Sequence, residues 1–159
     1  ALFVWLTVKL IKKKNGGTLL KTTPPPIPPY DEAIEALRQL KGSTLVEQGE
    51  FKTFVFGLSE ILKRYIGRRY DCLVQESTST EFKKWLKESA LSKEQKNLLE
   101  QFVNGTDVVK FAEMKPSQSS IEEWLSQVEY FCNETKPTDE VEEVENEVAS
   151  STKKEEAKS

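Results

Sequence analysis

Histidine is absent from this chain of 159 residues. That removes the commonest general base and the commonest zinc ligand together. Cysteine occurs only twice, at Cys72 and Cys132. The two stand far apart and neither has a CxxC partner, so neither a disulfide framework nor a metal site is expected. Each reads as a small buried or half-buried residue. There is no GxxxxGK[ST] loop, no GxGxxG and no GxSxG elbow, and Gly16-Gly17 follows a lysine run rather than a strand. Carboxylates come as neighbours, Glu122-Glu123 and Glu142-Glu143. Adjacent residues diverge around a helix and make poor acid–base pairs. An excess of one charge is also lacking. The net charge of −3 gives no general pull toward nucleic acid. Arg68-Arg69-Tyr70, without further aromatic interleaving, is a weak nucleic-acid signal. This inventory disfavours an enzyme and requires no cofactor and no metal.

What is present is helical periodicity. In residues 51–66, FKTFVFGLSEILKRYI, the apolar positions are Phe51, Phe54, Val55, Leu58, Ile61, Leu62, Tyr65 and Ile66. Steps of one, three and four mark a helix with one wide apolar stripe, which other helices must cover. Arg64, Arg68 and Arg69 gather at its C-terminal end, where the helix dipole favours cations, and Gly67 is the expected stop. That basic end is a candidate docking surface, although dipole compensation alone accounts for it.

Four further helices are expected around this one. The first begins near Tyr30-Asp31 after Pro28-Pro29, faces inward with Ala33, Ile34, Leu37 and Leu40, and ends at Gly42. Tyr70, Cys72, Leu73 and Val74 are expected to tuck under the bundle as a loop. Thr78 to Glu81 and Ser92 to Gln95 are capping boxes. They start helices with Phe82, Trp85 and Leu86, then Leu98, Leu99, Phe102 and Val103, facing in. Asn104-Gly105 is the expected end of the latter, with a separate short helix from Asp107 to Met114. Asp107 and Lys110 flank that piece and can pair with each other; a helix cap with a surface ion pair accounts for them. A last helix after Pro116-Ser117 turns Ile121, Trp124, Leu125, Val128 and Phe131 inward. No stretch alternates with period two. The expected fold is all-α, an irregular antiparallel bundle of about five helices over residues 30–135.

The ends differ from this middle. Residues 1–14, ALFVWLTVKLIKKK, run from apolar to basic. That order fits the end of a transmembrane helix with its cytoplasmic basic flank, Trp5 being an interfacial anchor. Residues 15–29 are a Gly/Pro-rich linker whose prolines favour a semi-rigid spacer over an SH3-type ligand. Residues 136–159 are rich in Glu and Lys, hold no aromatic residue, and are expected to form a disordered acidic tail.

Three stretches in order resemble a known family. They are PPIPPYDEAIEALRQLK, then EQGEFKTFVFGLSEILKRYIGRRY, then STSTEFKKWLKES with TDVVKFAEMKPS, together spanning about residues 24–133. They are similar to the cytoplasmic C-terminal region of BatD-like membrane proteins. Those proteins are associated with MoxR-type AAA+ ATPases and von Willebrand factor A domain proteins. The chain departs from the family pattern at Gly57, at Tyr30 and at Ser77 to Thr80. The resemblance implies a non-catalytic, membrane-tethered helical domain on the cytoplasmic side of a bacterial inner membrane, with residues 12–159 inside. Its implied partners are that ATPase and a von Willebrand factor A protein, in envelope stress or oxygen tolerance, with no nucleic acid. Asp107, Lys110 and Phe111 match the family's D-x-V-K-F-A piece and are candidates for a shared structural or docking feature, with Phe111 expected in the core. The alternatives are a structural or self-associating domain with no ATPase partner, and an enzyme whose site is shared with a missing part.

Overall fold

The computed structural model describes residues 26–137. The apolar-to-basic opening stretch, the linker up to residue 25 and the acidic tail from residue 138 lie outside the described residues. Among the described residues the protein is all-α, with five helices and no strand. No helix among them is long and apolar enough to cross a membrane.

Helix α1 (Pro29–Lys41) has proline in its first turn, then Asp31 and Glu32, with Arg38 and Lys41 in its last turn. Each group suits the dipole end it occupies. Ala33 and Leu37 are buried, with Ile34 and Leu40 half-buried beside them. After a turn closed at Gly49 comes α2 (Phe51–Tyr70). Its buried stripe is Phe54, Val55, Leu58, Leu62, Tyr65 and Ile66.

Helix α2 runs past Gly67, so that residue is not its stop. The stop is Asp71, at φ 49° in the left-handed region, with the Cys72 amide donating back to the Gly67 carbonyl at 3.1 Å. Aspartate enters that region more readily than most side chains. At Gly67 a Cβ would stand 3.1 Å from the Cys72 carbonyl oxygen. Glycine there lets the loop fold back closely instead of ending the helix. The loop does not tuck under as a whole either. Val74 is buried and Cys72 half-buried, but Leu73 is fully exposed and Tyr70 sits at the edge. Val74 is the loop's one hydrophobic plug into the core.

Helix α3 (Ser79–Glu88) starts at a capping box. The Glu81 amide donates to the Thr78 hydroxyl at 3.3 Å, and the Thr78 amide donates to the Glu81 carboxylate at 2.8 Å. Ser92 and Gln95 do the same for α4 (Lys93–Ala112). That helix is continuous through Asn104-Gly105, where the sequence pattern places a break. Glycine mid-helix costs about 1 kcal/mol relative to alanine, which is too little to stop a well-packed helix. Leu99, Phe102, Val103, Thr106 and Val109 form one uninterrupted buried face across the site. The helix ends at Glu113, φ 53°, ahead of Pro116.

Helix α5 (Gln118–Glu134) is capped by the Ser117 hydroxyl, which accepts from the Ser120 amide at 3.1 Å. It buries Ile121, Trp124, Val128, Phe131 and Cys132. Helix α2 is the hub, packing against α1, α4 and α5; α1 and α4 also touch α5, and α3 lies on α4. The buried residues form one core. Where α2 meets α5, the Tyr65 hydroxyl lies 2.9 Å from the Thr135 hydroxyl and donates to the Cys132 carbonyl at 3.2 Å. The Tyr65 and Phe131 rings meet edge to face, 6.2 Å between centroids.

Candidate functional site

The five residues singled out in the sequence fall into two groups. Arg64, Arg68 and Arg69 lie on the last two turns of α2. Asp107 and Lys110 lie near the end of α4.

The arginines contact groups of their own chain, although Arg64 and Arg68 stay exposed. Arg64 pairs with Glu60 at 3.2 Å and with Glu32 of α1 at 3.6 Å. Arg68 pairs with Glu32 as well and donates to the Ile27 carbonyl at 2.7 Å. Arg69 donates from Nε to the Thr135 carbonyl at 2.8 Å. The last turn of α2 thus ties down both ends of the folded region. A groove of about 380 Å³ runs beside Arg64 between α1 and α2, over Ala33, Ala36, Gly57 and Ile61. Its two carboxylates, Glu32 and Glu60, are the ones paired with Arg64.

Asp107 is the centre of the second group. It accepts from the Ser79 hydroxyl at 2.7 Å, and the ammonium groups of Lys83 and Lys110 stand 3.6 and 3.7 Å from it. The capping box fixes Ser79 at the first position of α3, and Lys83 follows one turn later on the same face. Lys110 is only 5 % exposed, so the pair with Asp107 is not the surface ion pair that its spacing suggests. Its ammonium also lies 5.6 Å from the centroid of the Phe56 ring, a cation–π contact. Burial pushes the Lys110 pKa down, against the pull of Asp107. Lys63 of α2 is shifted the same way by burial, with Asp107, Glu81 and Glu76 opposing, and it donates to the Ser77 carbonyl. The crevice among Lys63, Ser79, Phe82 and Lys110 holds about 10 Å³, room for about one water.

Outside this network the end of α4 is apolar and exposed. Phe111 is 70 % exposed, Met114 58 %, Phe56 46 % and Val108 40 %. Val108 and Phe111 are one helical turn apart, and Phe56 reaches this end of α4 through Lys110. Phe111 is therefore not core. The helix keeps one period through Gly105, and that period assigns the inward positions to Thr106, Val109 and Lys110. The sequence reading missed Lys63, Ser79 and Lys83 as members of the cluster. The i, i+4 spacing of Ser79 and Lys83 was the available signal; nothing in the sequence points to Lys63. Among the described residues no three His, Cys, Asp or Glu side chains are placed to hold a metal ion. Compared with protein-family models, curated proteins and solved structures, the chain matches none of them.

Proposed function

We propose that this chain is a non-catalytic interaction domain that docks a protein partner through the exposed end of α4. The observation that supports this is the exposure of Phe111, Met114, Val108 and Phe56 around a charge network that is itself internally paired. Grouped exposed apolar side chains mark interaction sites more often than scattered ones do. Aromatic and Met side chains suit such a contact, and the Asp107 network holds the base of the surface rigid. The family resemblance of residues 24–133 supplies the partner class. The domain is tethered at the cytoplasmic face of a bacterial inner membrane as part of a BatD-like protein. It meets a MoxR-type AAA+ ATPase or a von Willebrand factor A protein there. Tethering both partners in one plane raises their effective concentration.

The test is a pull-down from detergent-solubilised membranes with the full chain as bait, with and without ATP, beside the double variant Phe111→Ser/Met114→Ser. Recovery of an AAA+ ATPase or a von Willebrand factor A protein by the native chain, reduced at least about tenfold by the double variant, is the expected result. Recovery of the bait alone sinks the proposal in favour of a self-associating structural domain.

A further inference from the structure

The end of α2 gathers both exits of the folded chain at one pole. Arg68 holds the Ile27 carbonyl, and Arg69 holds the Thr135 carbonyl. The Tyr30 hydroxyl donates to Asn133 Oδ1 at 2.6 Å, and the Lys136 ammonium lies 4.4 Å from the Tyr30 ring centroid. The cations at this pole are unequally matched. Arg64 and Arg68 share Glu32, and Arg64 also has Glu60. Among the described residues, neither Arg69 nor Lys136 has a carboxylate within 4.0 Å.

We propose that the acidic segment of this same chain, residues 139–147, docks on that pole with its carboxylates on Arg69 and Lys136. Charge complementarity and reach both favour this occupant. The segment carries Asp139, Glu140, Glu142, Glu143, Glu145 and Glu147 with no lysine or arginine among them. Lys136 itself stands three residues before Asp139. Asp139 is four residues on from Thr135, whose carbonyl Arg69 holds, at most about 14 Å of chain. A ligand leashed this closely is present at an effective concentration on the order of millimolar. The basic stretch Lys12 to Lys14 is the competing site within the chain. It is separated from the pole by the thirteen residues that lead to Ile27, at most about 45 Å of chain. Seated on Arg69 and Lys136, the acidic segment occupies the end of α2, so an acidic partner reaching for those cations must displace it. The exposed end of α4 is a separate surface, and the two proposals stand or fall independently.

The experiment is NMR of the full chain in zwitterionic detergent, reading the Arg Nε–H and Lys Nζ side-chain signals. It compares the native chain with a variant carrying Asp139→Asn and Glu→Gln at residues 140, 142, 143, 145 and 147. These changes lie outside the described residues, and unchanged core amides at Phe54 and Leu58 verify the fold. Docking predicts that the Arg69 and Lys136 signals shift between the two chains. The difference should vanish at ~1 M NaCl, where the screening length is about 3 Å. Arg69→Gln should in turn shift the amides of residues 139–147. Arg69 and Lys136 signals that are the same in both chains overturn the proposal. So do tail-dependent shifts that fall on Lys12 to Lys14 instead, or shifts that grow with protein concentration and so report a second copy.

Discussion

The backbone of Gly105 lies so close to the Trp124 indole that a Cβ at residue 105 would stand 2.7 Å from Nε1 and 3.2 Å from Cε2. An indole ring cannot bend away, so α4 and α5 would have to separate. Gly105→Ala is therefore expected to destabilise the domain by about 1–3 kcal/mol. It does so although alanine is the better helix former by about 1 kcal/mol. Gly57, in the middle of α2, is the internal control. A Cβ there would meet Leu40 Cδ1 at 3.4 Å, an ordinary contact. Gly57→Ala is expected to raise stability by up to about 1 kcal/mol. Urea midpoints of opposite sign for the two variants check the pair; a neutral Gly105→Ala removes the steric account.

The Asp107–Lys110 pair should respond unequally to loss of either partner. Asp107→Ala leaves the Lys110 ammonium buried with no carboxylate beside it, which is expected to cost about 3 kcal/mol. Lys110→Met keeps the apolar volume and leaves Asp107 with Ser79 and Lys83. Its expected cost is below about 1 kcal/mol, because burying the charge was itself unfavourable. Denaturant unfolding of the two variants decides this. Equal losses would mean that the ion pair, not burial of the cation, dominates.

Stability should fall in alkali through two groups on the α2–α5 contact. Burial pushes the Tyr65 phenol up from 10.0 to about 12, and burial pushes the Cys132 thiol up from 9.0 to about 12. Both are held protonated in the folded chain beyond the point where the unfolded chain releases its protons. Their contribution is intact below the unfolded value and is lost as pH rises toward the folded one. Lys63 and Lys110 are shifted down from 10.5, so theirs grows as pH rises toward that value. The expected net effect is a loss between pH 9 and 12. Tyr65→Phe should cost about 1 kcal/mol at neutral pH through its lost hydrogen bonds. It should also flatten the decline above pH 10. Unfolding at a series of pH values measures the slope; an unchanged slope in Tyr65→Phe would clear the phenol of any part in it.

Much of this architecture is written in local pattern, and the exceptions share one cause. The two capping boxes place the starts of α3 and α4 because a cap is an interaction between residues three apart. The stripe of α2 is legible for the same local reason. Gly67 and Gly105 mislead because glycine serves two purposes, ending a helix and admitting a close neighbour. Only the tertiary partner, Cys72 or Trp124, tells which one applies. The candidate site is less legible than the fold. Asp107 and Lys110 share a helix and can be paired from spacing, but Ser79, Lys83, Phe56 and Lys63 reach them from two other helices.

Two phenylalanines of α4 separate folding from docking. Phe102 is 1 % exposed and Phe111 70 % exposed on the same helix. Phe102→Ala opens a core cavity and should cost about 3–5 kcal/mol. Phe111→Ala trims a side chain that is mostly in solvent and should change stability by less than about 0.5 kcal/mol. If the end of α4 is the docking surface, Phe111→Ala should still weaken partner capture about tenfold or more, since exposed aromatic anchors carry a large share of binding energy. Thermal unfolding and the pull-down, run on the same preparations, read the two effects independently. A Phe111→Ala chain that melts like the native protein and captures its partner equally well would move the docking surface elsewhere on the bundle. One that melts early would mean that Phe111 supports the fold as well as the surface.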